Sequence, residues 1–108
     1  EKMLPVHKDN FETEVLQAPG LVLVDFWGPK CEECLAVMPD VEALEEKYGD
    51  RVKFCSLNIV GNRRLAISQK VLGLPVIAFY RQGEKIEELT ADDVNKENIE
   101  ALLLKLLA

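Results

Sequence analysis

Two cysteines stand three residues apart in the segment Trp27-Gly28-Pro29-Lys30-Cys31-Glu32-Glu33-Cys34. On a helical turn, residues i and i+3 share a face, so the two sulfurs can close into a disulfide and reopen with little backbone movement. The pair directly precedes a segment with helical periodicity. The unpaired N–H groups and dipole of a helix N-terminus stabilise a thiolate. The chemistry on offer is thiol–disulfide exchange. Cys31, at the first turn, would attack a target disulfide, and Cys34, one turn deeper, would resolve the mixed disulfide. Two inert core cysteines are the alternative, and their placement at a helix start argues against it. Glu32 and Glu33 suit the helix dipole but disfavour a thiolate beside them, an effect that Lys30 partly offsets.

Asp25 is the other residue whose type and position invite chemistry. It sits inside the apolar run Leu21-Val22-Leu23-Val24-Asp25-Phe26-Trp27, where an ionised carboxylate is costly and its pKa is expected to rise. The plainer alternative is a strand-end carboxylate facing solvent. The third cysteine, Cys55, falls in the middle of a second apolar run and is expected to act as a small buried hydrophobe. His7 reads as a solvated surface residue. A structural zinc site needs four ligands, and beyond the close pair only Cys55 and His7 are soft donors, so neither metal nor bound cofactor is expected.

Those residues need elements to hold them. Asp9 followed by Glu12 resembles a helix start, with Phe11, Val15 and Leu16 on one face and a stop at Pro19-Gly20. Leu21 to Trp27 has the continuous apolar character of a strand buried on both faces. From Cys34 on, Val37, Met38, Val41, Leu44 and Tyr48 recur at helical spacing to a stop at Gly49-Asp50, with a kink expected at Pro39. Arg51 to Ile59 is a second buried strand, and Asn62 to Val71 a short helix. Pro75 to Tyr80 and Glu84 to Leu89 form a hairpin turned at Gln82-Gly83. A last helix starts near Asn95 and buries Ile99, Leu102, Leu103 and Leu106. This order predicts an α/β fold, a mixed central sheet flanked by helices on both faces, with residues 1–108 as one domain.

Composition narrows the partners. With 108 residues, 48% hydrophobic and 30% charged, the chain has the balance of a globular protein, and its net charge of −6 argues against nucleic acid or an anionic membrane. The longest apolar run falls far short of the roughly 20 residues that span a bilayer. The start Glu1-Lys2-Met3-Leu4-Pro5-Val6-His7-Lys8 shows no apolar leader core, so a cytoplasmic location is the expectation; a processed chain would read the same.

Several stretches together carry a resemblance. They are Val24-Asp25-Phe26-Trp27 before the cysteine pair, Pro39 after it, Leu57-Asn58-Ile59, Gly73-Leu74-Pro75, and Gly83 at the hairpin turn. Over nearly its whole length the chain resembles the thioredoxin family. The segments Arg63-Arg64-Leu65-Ala66-Ile67-Ser68-Gln69-Lys70 and Asn98-Ile99 are most similar to thioredoxins associated with amino-acid reductases, such as glycine reductase, of anaerobic bacteria. The resemblance implies a thioredoxin-like fold and a protein-disulfide reductase acting through Cys31 and Cys34. It implies that Asp25 lies beneath the pair and shuttles a proton for Cys34. It implies a cis Pro75, with the Leu74 backbone free to pair with an extended substrate. Trp27, Lys30, Leu74 and Pro75 form the implied substrate-binding set, although Trp27 also reads as an ordinary core aromatic. Implied partners are disulfide-containing proteins and a flavoprotein thioredoxin reductase as electron donor, with the chain itself a monomer.

Four positions depart from the family pattern. Glu32-Glu33 replaces Gly-Pro between the cysteines, and Lys30 replaces a Trp before them. Ser56 stands where many relatives carry Lys near the buried Asp, and Thr90-Ala91-Asp92 lacks the usual Gly. These changes keep two other functions open: a thioredoxin-fold binding subunit of a larger reductase, and a disulfide oxidase or isomerase.

Overall fold

The computed structural model describes residues 2–108. Five strands form one mixed sheet: β1 (Leu4–Pro5), β2 (Leu21–Trp27), β3 (Val52–Asn58), β4 (Val76–Arg81) and β5 (Glu84–Thr90). Helices α1 (Glu32–Tyr48), α2 (Arg63–Ser68) and α3 (Lys96–Leu107) complete the framework. The strand order is β1-β3-β2-β4-β5. β3 pairs in parallel with both β1 and β2, whereas β4 runs antiparallel to β2 and to β5. The expected mixed α/β sheet is therefore present.

The two-residue period of β2 divides the interior. Val22, Val24 and Phe26 join one core with Phe11, Val15, Cys55 and Ala66, while Leu21 and Leu23 join another with Val37, Val41, Leu44, Ile99 and Leu103. α1 and α3 thus cover one face of the sheet, and α2 with the segment before β2 covers the other. Burying each large aliphatic or aromatic side chain here contributes roughly 1.5–3 kcal/mol, which is why the continuous apolar runs end up in the middle strands.

Local differences from the sequence-based reading have clear causes. The first helical segment is only Glu12–Leu16 and is wound as a π-turn, closed by the Gln17 N–H donating to the Glu12 carbonyl at 2.8 Å. α2 ends at Ser68, short of Val71. The Val71 N–H donates to the Ala66 carbonyl and the Lys70 N–H to the Ile67 carbonyl, with Lys70 left-handed at φ 64°. This is a Schellman stop in which Val71 supplies the hydrophobic contact beyond the helix rather than another helical turn. β1 was not expected, because two residues show no periodicity. It docks through Leu4 opposite Cys55, and the Val6 N–H donates to the Ser56 carbonyl at 2.8 Å. α1 runs on through Pro39, and α3 starts on Asn95, whose side chain accepts from the Asn98 N–H at 2.8 Å.

Candidate functional site

Strand direction brings three loops to one end of the sheet. β2 and β3 are parallel with Trp27 opposite Asn58, so the segments that follow them leave from the same edge. β4 is antiparallel to β2 with Val76 opposite Phe26, so the segment that precedes it arrives there too. The convergent segments are Gly28–Cys31, Ile59–Asn62 and Gly73–Pro75. The carboxyl ends of neighbouring parallel strands are where α/β sheets commonly form binding crevices. Gly28 makes the convergence tight. A Cβ at this buried position would lie 3.3 Å from Leu74 Cδ1 and 3.5 Å from Ile59 Cγ1.

Cys31 and Cys34 are joined as a disulfide, with Cα atoms 5.2 Å apart. Cys31 is the N-cap of α1 in extended conformation (φ −95°, ψ 104°), and its Sγ accepts a hydrogen bond from the Cys34 N–H at 3.1 Å. A helix N-terminus with an amide donating to this sulfur favours the thiolate once the bond is reduced. Cys31 is partly exposed, whereas Cys34 has no exposed surface. One sulfur can meet a large partner and the other cannot. Glu32 and Glu33 occupy the exposed first turn of α1, and Lys30 is exposed just before it.

Asp25 is buried, not a solvent-facing strand end: only 1% of its surface is exposed, and neither carboxylate oxygen has a hydrogen-bond partner among the described residues. Strand alternation puts it on the face covered by α1, the helix whose inward row begins with Cys34 and continues through Val37, Val41 and Leu44. Asp25 and Cys34 therefore share the layer between β2 and α1. Removal from water pushes the Asp25 carboxyl up to about 7, with the negative charge of Glu42 on α1 adding to the effect. Ser56 stands directly opposite Asp25 on β3, so this chain places no cation at that register position.

The Leu74–Pro75 peptide bond is cis, as the resemblance implies. Pro75 is buried, and its carbonyl accepts from the Ala91 N–H at 3.2 Å. Leu74 reaches the dithiol side of this loop. With Gly28, Pro29, Lys30, Cys31, Ile59, Val60 and Arg63 it lines an open groove of about 590 Å³ beside the reactive sulfur. Of the expected substrate-binding set, the groove brings together Lys30 and Leu74. Pro75 lines the adjoining hollow on the other side of its loop with Lys70, Leu72 and Ala91. Trp27 is not among the groove residues. It ends β2, partly buried, and its carbonyl accepts from the Ile59 N–H at 2.9 Å. Ile59, Val60 and Arg63 were not anticipated as site residues. The signal available was their place immediately after a parallel strand, where crevices form.

Cys55 is fully buried with a free thiol that burial pushes up to about 11. It lies opposite Val24, in the core on the far side of the sheet from α1. No helix of the described residues is long and apolar enough to cross a membrane.

Comparison with known proteins agrees with this geometry. Residues 2–105 match the thioredoxin family. A thioredoxin of Acetoanaerobium sticklandii is 53% identical over 103 residues, covering 95% of this chain and 98% of that protein. A thioredoxin of Peptoclostridium acidaminophilum is 50% identical over 103 residues, covering 95% and 94%. A thioredoxin sequence of Tissierella creatinophila is 59% identical over 44 residues, which is all of that sequence and 41% of this chain.

Proposed function

The chain belongs to the thioredoxin family and is a thiol–disulfide oxidoreductase acting on disulfide-containing proteins, and from that premise we propose that it works as a reductase, with Cys31, Cys34 and Asp25 in distinct roles. The observation that carries the assignment is the asymmetry of the pair. Cys31 is accessible and receives an amide hydrogen bond, while Cys34 is enclosed in the layer that holds Asp25. In the reduced protein the Cys31 thiolate attacks one sulfur of a target disulfide. The target's S–S bond breaks, a Cys31–target disulfide forms, and the other target sulfur leaves as a thiolate that takes a proton. Cys34 then gives its proton to the Asp25 carboxylate and attacks Cys31 Sγ. The Cys31–target bond breaks, the second target sulfur leaves as a thiolate that takes a proton from water, Asp25 returns its proton to water, and the Cys31–Cys34 disulfide seen in the structure is formed. The target has gained two electrons and two protons. A flavoprotein thioredoxin reductase returns two electrons to the chain's disulfide.

Trp27, Lys30, Leu74 and Pro75 receive the target, with the main chain at Leu74 pairing with an extended segment. Residues 1–108 operate as one thioredoxin-like domain, monomeric and cytoplasmic, without a bound cofactor, because two side chains hold both electrons.

Insulin-disulfide reduction driven by dithiothreitol, combined with trapping, tests the assignment. Wild type is expected to turn over. Cys34→Ser is expected to accumulate a mixed disulfide at Cys31, and Cys31→Ser to capture nothing. Binding without turnover would instead fit a binding subunit. A reduction potential near or above about −180 mV would instead fit an oxidase or isomerase.

A further inference from the structure

The dithiol stands on a charge boundary. On one side, the exposed carboxylates Glu32 and Glu33 fill the first turn of α1. On the other, the groove beside Cys31 contains Lys30 and Arg63 and, among the described residues, no carboxylate, in a chain whose net charge is −6. Both cations are exposed, and neither has an ion-pair or hydrogen-bond partner among the described residues, whereas Lys47, Lys53, Lys85 and Lys105 are each paired with a glutamate. The floor between them is apolar, from Ile59, Leu74 and Val60, the last 55% exposed. A contiguous apolar strip with two uncompensated like charges at a reactive sulfur is complementary to an apolar segment of the opposite charge.

We propose that this groove selects its target: it takes a disulfide-bearing polypeptide segment with an apolar residue and an Asp or Glu next to the half-cystine that Cys31 attacks, and it disfavours Lys or Arg there. The inference rests on the reductase reading above and adds the substrate class. The carboxylate meets Lys30 and Arg63, and the apolar residue covers Ile59 and Leu74. Glu32 and Glu33 repel a carboxylate placed on the α1 side, so one sense of the segment is favoured over the other. The covalent steps are those already given, and selection acts on the first of them.

The prediction runs against the charge of the whole molecule. A net charge of −6 by itself attracts basic peptides, so a preference for acidic ones isolates the local field. The test uses the full chain, reduced and freed of reductant, and three disulfide peptides of equal length. They carry Leu with Asp, Leu with Lys, or Leu with Asn beside the half-cystine, and stopped-flow measurement gives the second-order rate constants. Wild type at low salt is expected to favour the Asp peptide over the Lys peptide by about threefold to tenfold, since exposed charge pairs are individually weak. The ratio is expected to approach one at about 0.5 M salt, where screening is short-ranged. Lys30→Glu/Arg63→Glu is expected to bring the ratio below one, and Lys30→Gln/Arg63→Gln to bring it close to one. Circular dichroism confirms that each variant is folded. A wild-type ratio of one at low salt, or a ratio unchanged in the charge-reversed variant, overturns the charge selection alone. Reduction of none of the three peptides overturns the reductase reading, and the charge selection with it.

Discussion

Val24 and Asp25 are neighbours on β2, yet they face opposite layers, and the titratable groups of those layers behave differently. Cys55, opposite Val24, and Asp25 itself are both withdrawn from water. The same physical cause, loss of solvation for the charged form, moves both pKa values upward. The thiol goes to about 11 and the carboxyl to about 7. For Cys55 the shift carries a group that was already neutral further from ionisation, so the thiolate is suppressed and the residue acts as packing. For Asp25 it carries a group that was fully ionised to the middle of the neutral range, where it can take and return a proton. Burial alone therefore does not mark a functional group. What counts is where burial places it relative to working pH, and whether its layer reaches the reactive pair. The Asp25 layer holds Cys34, and the Cys55 layer does not.

The contrast is broken most forcefully by swapping the cysteines under test. Cys31→Ser is expected to reduce insulin turnover to background. Cys55→Ala is expected to leave turnover within about twofold while costing about 1–2 kcal/mol of stability from the small cavity. Comparable losses from the two substitutions would erase the distinction between the layers.

Next in size is the pH dependence of stability in the oxidised protein. Below pH about 4 the Asp25 carboxyl is neutral in both folded and unfolded chains. Between about 4 and 7 the unfolded chain releases the proton that the folded chain keeps, so stability falls as pH rises through this window. The loss is complete above the folded value and amounts to about 4 kcal/mol for a shift from 3.8 to about 7. Asp25→Asn is expected to abolish that slope. At pH 8 it should gain about 1–3 kcal/mol, the remainder being the cost of a buried amide without partners. Urea denaturation at pH 4 to 8 reads both. A variant less stable than wild type at pH 8 would mean that the carboxylate is not an unpaired buried charge.

A finer test concerns the exposed partner of the pair. Glu32→Gln/Glu33→Gln is expected to raise the Cys31 thiolate fraction at pH 7 by about twofold to fivefold after screening, Lys30 being common to both proteins. Ultraviolet absorbance of the thiolate measures it, and an unchanged or smaller fraction would refute the electrostatic effect. Smallest is Ala91→Gly. Ala91 holds φ 53°, a left-handed conformation that glycine adopts without a steric cost. The substitution is expected to stabilise the protein by about 0.5–1 kcal/mol by thermal denaturation.

The sequence made the reactive centre legible because its signals are local. Two cysteines at helical spacing after a buried strand announce thiol chemistry. A carboxylate inside Leu-Val-Leu-Val-Asp-Phe-Trp announces a shifted pKa. Gln82-Gly83 turns the hairpin with both residues at positive φ, as its position between two strand patterns indicated. The groove was less legible because it is made by register. Arg63 and Leu74 meet Lys30 only because β2 and β3 are parallel and β4 returns antiparallel, and no local pattern encodes that neighbourhood. The family resemblance pointed to Leu74 and Pro75 as site residues, whereas Arg63 entered it only as part of a similar segment, with no role attached. The end of α2 was obscured for another reason. Val71 is apolar at helical spacing, yet it serves the Schellman stop, and Lys70 occupies the left-handed position where glycine is the usual sign.

The shared layer of Asp25 and Cys34 is tested most directly by the pH dependence of the second chemical step. Stopped-flow reduction of a disulfide peptide, reading release of the second target thiol from pH 5 to 9, separates that step from the initial attack. Wild type is expected to show a release rate that rises with a midpoint near the Asp25 value of about 7. Asp25→Asn is expected to release about tenfold more slowly at pH 7 and to lose that midpoint, its rate following thiol ionisation at higher pH instead. Superimposable profiles for the two proteins would contradict the role assigned to Asp25.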